Sequence, residues 1–203
     1  MSMSSEPVAL IVPGLNDSGP DHWQSLWLAQ RGDCRKVDLG CWDAPIRNVW
    51  LSRLDQAIGA AESSVVLVAH SLGCLAVAQW ASLVGRDGAA RVSAALLVAP
   101  PDVDRPGAHP LVRRFAPAPL TPLPFASILV ASRDDPYASF EALGRLARLW
   151  GSRLHDVGAL GHINAASAIG EWNEGQSLLD SLIGEPRLHR SAFPATREQR
   201  ARM

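Results

Sequence analysis

The pentapeptide Ala69-His70-Ser71-Leu72-Gly73 is the stretch of this chain whose residue types and spacing point most directly to chemistry. It fits G-x-S-x-G, the nucleophile elbow, with alanine in place of the first glycine. In an elbow the chain turns so sharply from strand into helix that the positions two before and two after the serine must be small, and alanine meets that need. The turn lifts the Ser71 hydroxyl off the carboxyl edge of a sheet and leaves the Leu72 N–H facing the space where an oxyanion would form. The plainer alternative is a serine that caps the helix beginning at Leu72. A serine hydroxyl is a weak nucleophile at neutral pH, so the catalytic reading demands a histidine to take its proton and an acid to orient that histidine.

Both partners are available later in the chain, each after an expected strand. Ile128-Leu-Val-Ala-Ser132 leads into Arg133-Asp134-Asp135-Pro136, and Arg153-Leu-His-Asp-Val157 leads into Gly158-Ala-Leu-Gly-His162. The order serine, acid, histidine is that of α/β-hydrolases. Two aspartates compete for the acid. Pro136 biases Asp135 to an extended backbone that can project its side chain inward, whereas Asp134 suits the turn, so Asp135 is the expected triad acid. His162 lies in a loop, where catalytic side chains concentrate, while His155 lies on a strand and is expected to pack or face solvent. His22, His109 and His189 have no matching context. A second oxyanion donor should come from the loop after the first strand. Pro13-Gly14-Leu15-Asn16 fits, with the Leu15 N–H as donor and Gly14 permitting close approach; an ordinary turn is the alternative. Trp23, Trp27, Trp42 and Trp50 could line a pocket, yet large aromatics at helical spacing are more often core, so no substrate contact is assigned to them.

These residues need a parallel sheet to bring them together. Val8–Val12 closes on Pro-Gly and reads as the first strand, followed by a helix from Asp21 to Gln30 with Asp21 in its first turn. A shorter strand around 35–39 precedes a helix at 47–61. Residues 64–69 form the clearest buried strand, and Cys74 to Val84 reads as a buried helix. Strands are expected at 92–99, 127–132 and 154–157, helices at 139–150 and 165–183. Between Pro100 and Pro124 lie eight of the fifteen prolines, so this stretch is an irregular excursion at a strand's carboxyl end, where such sheets bind ligands. The expected architecture is a three-layer α/β sandwich: a mostly parallel sheet of about six strands, helices on both faces, no large cap domain. It occupies 1–184 as a single domain, with an Arg-rich tail over 185–203 that suits disorder or packing on a neighbour.

Composition narrows the function classes. The chain has 203 residues, 47% hydrophobic and 19% charged, enough apolar content to bury a core. Nineteen basic against twenty acidic residues leave a net charge of −1, which removes the usual electrostatic case for nucleic acid or an anionic membrane as partner. Three cysteines, Cys34, Cys41 and Cys74, show no C-x-x-C spacing, and no positive charge precedes the first apolar run, so a reduced, cytoplasmic protein without a signal peptide is expected. The greasiest stretch is interrupted by His70, Ser71 and Gln79 and is too short to span a bilayer.

Val12-Pro-Gly-Leu-Asn16, Asp21-His-Trp-Gln-Ser-Leu-Trp27, Ala69-His-Ser-Leu-Gly73, Asp134-Asp-Pro-Tyr137 and Gly161-His-Ile-Asn164 with Trp172, taken together, resemble the small serine hydrolases of the α/β-hydrolase superfamily grouped with YdeN and retinoblastoma-binding protein nine. The resemblance runs from about Val8 to Leu182. It implies a fold without a large lid, a Ser71, Asp135, His162 triad, and esterase-like or aminopeptidase-like activity on small substrates. The eukaryotic relative's L-x-C-x-E partner motif is not carried over, because Leu39-Gly-Cys-Trp-Asp43 ends in aspartate. The expected reaction is hydrolysis of a small ester, or of an amide or aminoacyl substrate, through an acyl-enzyme, with no cofactor and no metal. The rivals are a non-catalytic protein-binding scaffold and an acyltransferase. A homo-oligomer is neither indicated nor forbidden.

Overall fold

Alternate side chains of a strand face opposite ways, so a sheet covered on both faces is built from runs that are apolar throughout. The computed structural model, which describes residues 6–184, shows this arrangement. In chain order the elements are β1 (Val8–Val12), α1 (Trp23–Gln30), β2 (Cys34–Lys36), α2 (Arg47–Ala60), β3 (Val65–His70), α3 (Leu72–Gly88), β4 (Val92–Val98), α4 (Pro110–Arg113), β5 (Ala126–Ala131), α5 (Phe140–Trp150), β6 (Arg153–Asp156), a single 3₁₀ turn at Ala165–Ser167, and α6 (Asn173–Gly184). The strands form one sheet in the order β2-β1-β3-β4-β5-β6, every pair parallel. The Arg-rich stretch 185–203 and His189 lie outside the described residues.

The two faces bury separate cores. Leu10, Val12, Leu67, Ala69, Leu97 and Leu129 point to the layer of α2, α3 and α5. Ala9, Ile11, Val66, Val68, Leu96 and Val130 point to the layer of α1 and α6. β1 and β3 are neighbours whose outgoing crossovers run in opposite directions, α1 to β2 and α3 to β4, on opposite faces of the sheet. The crevice between the carboxyl ends of β1 and β3 is therefore a topological switch point, where open α/β sheets bind ligands. Among the described residues no helix is long and apolar enough to cross a membrane.

Several boundaries differ from the sequence expectation for identifiable reasons. α1 starts at Trp23, because the Nδ1 of His22 accepts from the Gln24 N–H and makes His22 the N-cap; Asp21 is outside the first turn. β2 is a three-residue edge strand, not a run to Leu39. α3 begins at Leu72, directly after the elbow serine, and Gly85 (φ 66°) breaks it near its end. The expected helix over 165–183 is two pieces. Ala168, Gly170 and Trp172 adopt left-handed backbone (φ 52°, 55° and 42°), which no α-helix continues through. This reversal tucks Trp172 under α1, its ring 5.1 Å from that of Trp23 and stacked on that of Trp27. Gly175 leaves room for it, since a Cβ there would lie 2.2 Å from the Trp172 ring. The proline-rich stretch is irregular, as expected, with only the short α4 inside it. Gln79 donates to the Phe115 carbonyl and the Ala118 N–H donates to Asp104 at 3.0 Å, so the excursion is tied down at its base.

Candidate active site

β3 runs straight into Ser71, which takes φ 53°, ψ −126°, a conformation that costs a non-glycine residue on the order of 1–3 kcal/mol. Its side chain makes no capping hydrogen bond, so the plain helix-cap alternative does not describe it. Tight packing imposes the turn. A Cβ on Gly73 would lie 2.4 Å from the Val12 carbonyl oxygen and 2.6 Å from that of Pro13, so the position two after the serine must be glycine here, not merely small. Gly14 meets the elbow from the other side: a Cβ on it would come 2.8 Å from the Ser71 Cβ and 3.1 Å from the Leu72 nitrogen. The loop carrying Leu15 is thereby pressed against the elbow. Leu72 is the first residue of α3, and its N–H has no intrahelical partner.

His162 arrives on the loop after β6, and its two ring nitrogens are both engaged. Nε2 lies 2.8 Å from the Ser71 Oγ. Nδ1 lies 2.9 Å from the Asp135 Oδ2. A carboxylate oxygen only accepts, so Nδ1 carries the hydrogen and Nε2 presents its lone pair to the serine hydroxyl. The Asp135 side chain is fully buried, and its other oxygen accepts from the Tyr137 N–H at 2.8 Å. Asp134, the competing aspartate, bonds to other groups than the ring. Its Oδ1 accepts from the Ser132 hydroxyl and the Gly161 N–H, both at 2.7 Å, and these bonds hold its carboxyl below the usual range. It ties the acid loop to the histidine loop.

An open cleft of about 600 Å³ surrounds Ser71, within the range that suits a small ligand. Leu15, Pro101, Ala108, Leu111, Val112 and Tyr137 give it apolar walls, and Asn16, Asp17, Asp102 and Arg105 add polar ones. The proline-rich excursion thus forms one side of it, as its place after a strand end suggested. Trp23, Trp27 and Trp50 are buried in the two cores, and Trp42 packs edge-on to Trp50; none lines the cleft. His155 pairs with Glu174 at 2.8 Å, away from the cleft.

Three further histidines line the cleft: His22 and His109, which had no matching context in the sequence, and His70, to which no role was given. His70 was in plain view inside the elbow pentapeptide, and His22 in the Asp-His-Trp segment. His22, His70 and His162 stand in a column, His22 edge-on to His70 and His70 tilted against His162, with centroids 4.7 Å and 5.0 Å apart. Burial, and then the neighbouring His162, hold His70 well below the usual histidine value and bring His22 down to about 4. Both are neutral near pH 7. All three cysteines are free. Burial pushes the Cys74 thiol up strongly and the Cys34 thiol to about 11, so neither competes with Ser71 as a nucleophile.

A hydroxyl, an imidazole and a carboxylate in line at the switch point of a parallel sheet define the class: an α/β-hydrolase-type serine hydrolase. The chain belongs to the Serine hydrolase family, whose model matches residues 9–181. Within it the likeness is to the YdeN type. A YdeN-like hydrolase from Pectobacterium atrosepticum is 29% identical, with 88% of this chain and 91% of that one covered at a TM-score of 0.76. The YdeN product of Bacillus subtilis is 20% identical, with coverages of 89% and 100% and a TM-score of 0.71, and shares the fold. The fold extends to Est1E from Butyrivibrio proteoclasticus, 12% identical, with 91% of each chain covered and a TM-score of 0.64. Comparison with curated proteins finds no match. The family and these neighbours make the chain a hydrolase of esterase-like kind.

Proposed function

We propose that this chain hydrolyses small carboxylic esters through an acyl-enzyme, with Ser71 as nucleophile, His162 as general base and acid, and Asp135 as the group that orients the imidazole. The contact that carries the reading is His162 Nε2 to Ser71 Oγ at 2.8 Å, backed by Nδ1 to Asp135 at 2.9 Å. Ser71 Oγ attacks the ester carbonyl carbon while Nε2 takes its proton. The oxyanion that forms accepts hydrogen bonds from the Leu72 and Leu15 N–H groups. His162 then gives its proton to the departing alcohol, leaving an acyl-Ser71. Water, deprotonated by the same nitrogen, attacks the acyl carbon, and Ser71 recovers its hydrogen as the acid leaves. These steps call on side chains and backbone amides alone.

Fluorophosphonate treatment followed by intact-mass analysis and peptide mapping tests the reading. One adduct on Ser71, together with turnover of short-chain nitrophenyl esters, is expected. An unlabelled protein, or a label elsewhere, overturns it in favour of a binding scaffold. Product analysis with added alcohols separates hydrolysis from acyl transfer.

A further inference from the structure

We propose that Trp23 and His70 are positioning residues, which hold the His162 ring on Ser71 by gripping two consecutive carbonyls of the loop that carries it. The proposal rests on His162 being the catalytic base. The Trp23 indole N–H donates to the Ile163 carbonyl at 2.9 Å, and the His70 Nε2–H donates to the His162 carbonyl at 3.0 Å. A carbonyl only accepts, so this contact fixes the His70 tautomer as well.

The loop needs such a grip. Gly161 and Ile163 flank the histidine with φ 55° and 50°. Ile163 is β-branched, among the residue types least suited to left-handed backbone, and such a conformation persists only where its surroundings over-determine it. Side chains from distant parts of the chain supply that determination residue by residue. Ser132 Oγ accepts from the Leu160 N–H at 2.9 Å, and Asp134 accepts from the Gly161 N–H at 2.7 Å. His70 and Trp23 then take the next two carbonyls.

These four anchors are not equivalent. The Asp134 contact is exposed, so water can replace it. Trp23 and His70 are 1% and 5% exposed, and each of their bonds is buried. Removing either donor strands a buried carbonyl, which is satisfied only if the backbone moves. The backbone that would move carries the imidazole, and a displacement of about 1 Å at a reacting group is enough to cost roughly 100-fold in rate. His70 also stays neutral behind His162, because burial holds its proton affinity down. It therefore grips the loop without placing a second positive charge beside the imidazolium that forms during catalysis.

The test uses the full chain with Trp23→Phe, which keeps an aromatic ring against Trp27 and Trp172 and loses the N–H. It adds His70→Met, which fills the space without a strong donor, and His70→Gln, which restores an N–H. Each is assayed for kcat, KM and thermal midpoint on a nitrophenyl ester, beside the wild type and His162→Ala. The expected result is a roughly 10-fold to 100-fold fall in kcat for Trp23→Phe and His70→Met, with KM within twofold, and recovery of most of the His70 loss in His70→Gln. Unchanged kcat in folded Trp23→Phe overturns the proposal. So does a loss in His70→Met that His70→Gln fails to recover. If His70→Met does not fold, Trp23→Phe decides alone. Full activity in His162→Ala defeats the catalytic reading itself, a result distinct from either of these.

Discussion

The Ser71 hydroxyl becomes reactive only through a chain of two contacts, to His162 and from there to Asp135, and each link carries a different consequence if cut. Ser71→Ala removes the bond-forming atom, so kcat on an activated ester should fall on the order of 10⁶-fold with the fold intact. Asp135→Asn is subtler. The amide can donate to Nδ1, which turns the imidazole to the tautomer that presents N–H instead of a lone pair to the serine. A loss of about 10⁴ in kcat is expected. Steady-state kinetics on both variants decides the matter: an Asp135→Asn enzyme within tenfold of wild type would mean that Asp134 or another group orients His162. The geometry argues against that outcome, since Asp134 spends its Oδ1 on Ser132 and Gly161.

At the scale of elements, the site depends on how closely α3 and the β1–α1 loop approach the elbow. Gly73 sits where any Cβ collides with two β1-end carbonyls, and backbone cannot step aside as a flexible side chain can. Gly73→Ala should therefore cost about 3 kcal/mol, toward the upper end for overpacking, and lower the thermal midpoint by roughly 6–12 °C. A melt within 2 °C of wild type would refute the close approach. Much of this was legible in the chain. Continuous apolar runs marked β1, β3, β4 and β5 because both faces of the sheet are buried. The serine and the acid stood out because each follows such a run, whereas His162 follows the largely polar β6 and stood out by its loop position and its place in the order serine, acid, histidine. What the chain could not display was spatial. His22, His70 and His109 meet in one cleft because of strand order, which no local pattern encodes. The break before α6 was hidden because Ala165, Ile169 and Trp172 keep a helix-like spacing while three left-handed residues turn the backbone away. The signature segments that suggested the resemblance also proved to touch: Trp23 of Asp-His-Trp donates to Ile163 of Gly-His-Ile-Asn.

For the whole molecule, the column of histidines behind the site links stability to pH. His22 faces His162, His70 and Asp17, and Asp17 is itself paired with Lys36 at 2.6 Å. Burial first, and then His162, bring His22 from 6.5 to about 4, with Asp17 opposing in part. Above pH 6.5 the folded and unfolded chains both hold it neutral, so the fold keeps its full stability there. As pH falls below 6.5, the unfolded chain takes up a proton that the fold refuses, and stability drops. His22 alone should account for a loss on the order of 3 kcal/mol by pH 4, and His70 shifts in the same direction. The carboxylates held low by their partners, Asp33, Asp134 and Asp156, lose their contribution mainly below their ordinary value of 3.8, so the interval between pH 6.5 and 4.5 reports on the histidines. Urea unfolding at pH 7.5, 6.0 and 4.5 should show that decline in the wild type. In His22→Asn, which keeps an acceptor for the Gln24 N–H at the start of α1, the decline should be shallower. Equal slopes in the two proteins would place the acid sensitivity elsewhere. A flat wild-type profile would mean that the buried imidazoles take up protons at their ordinary value.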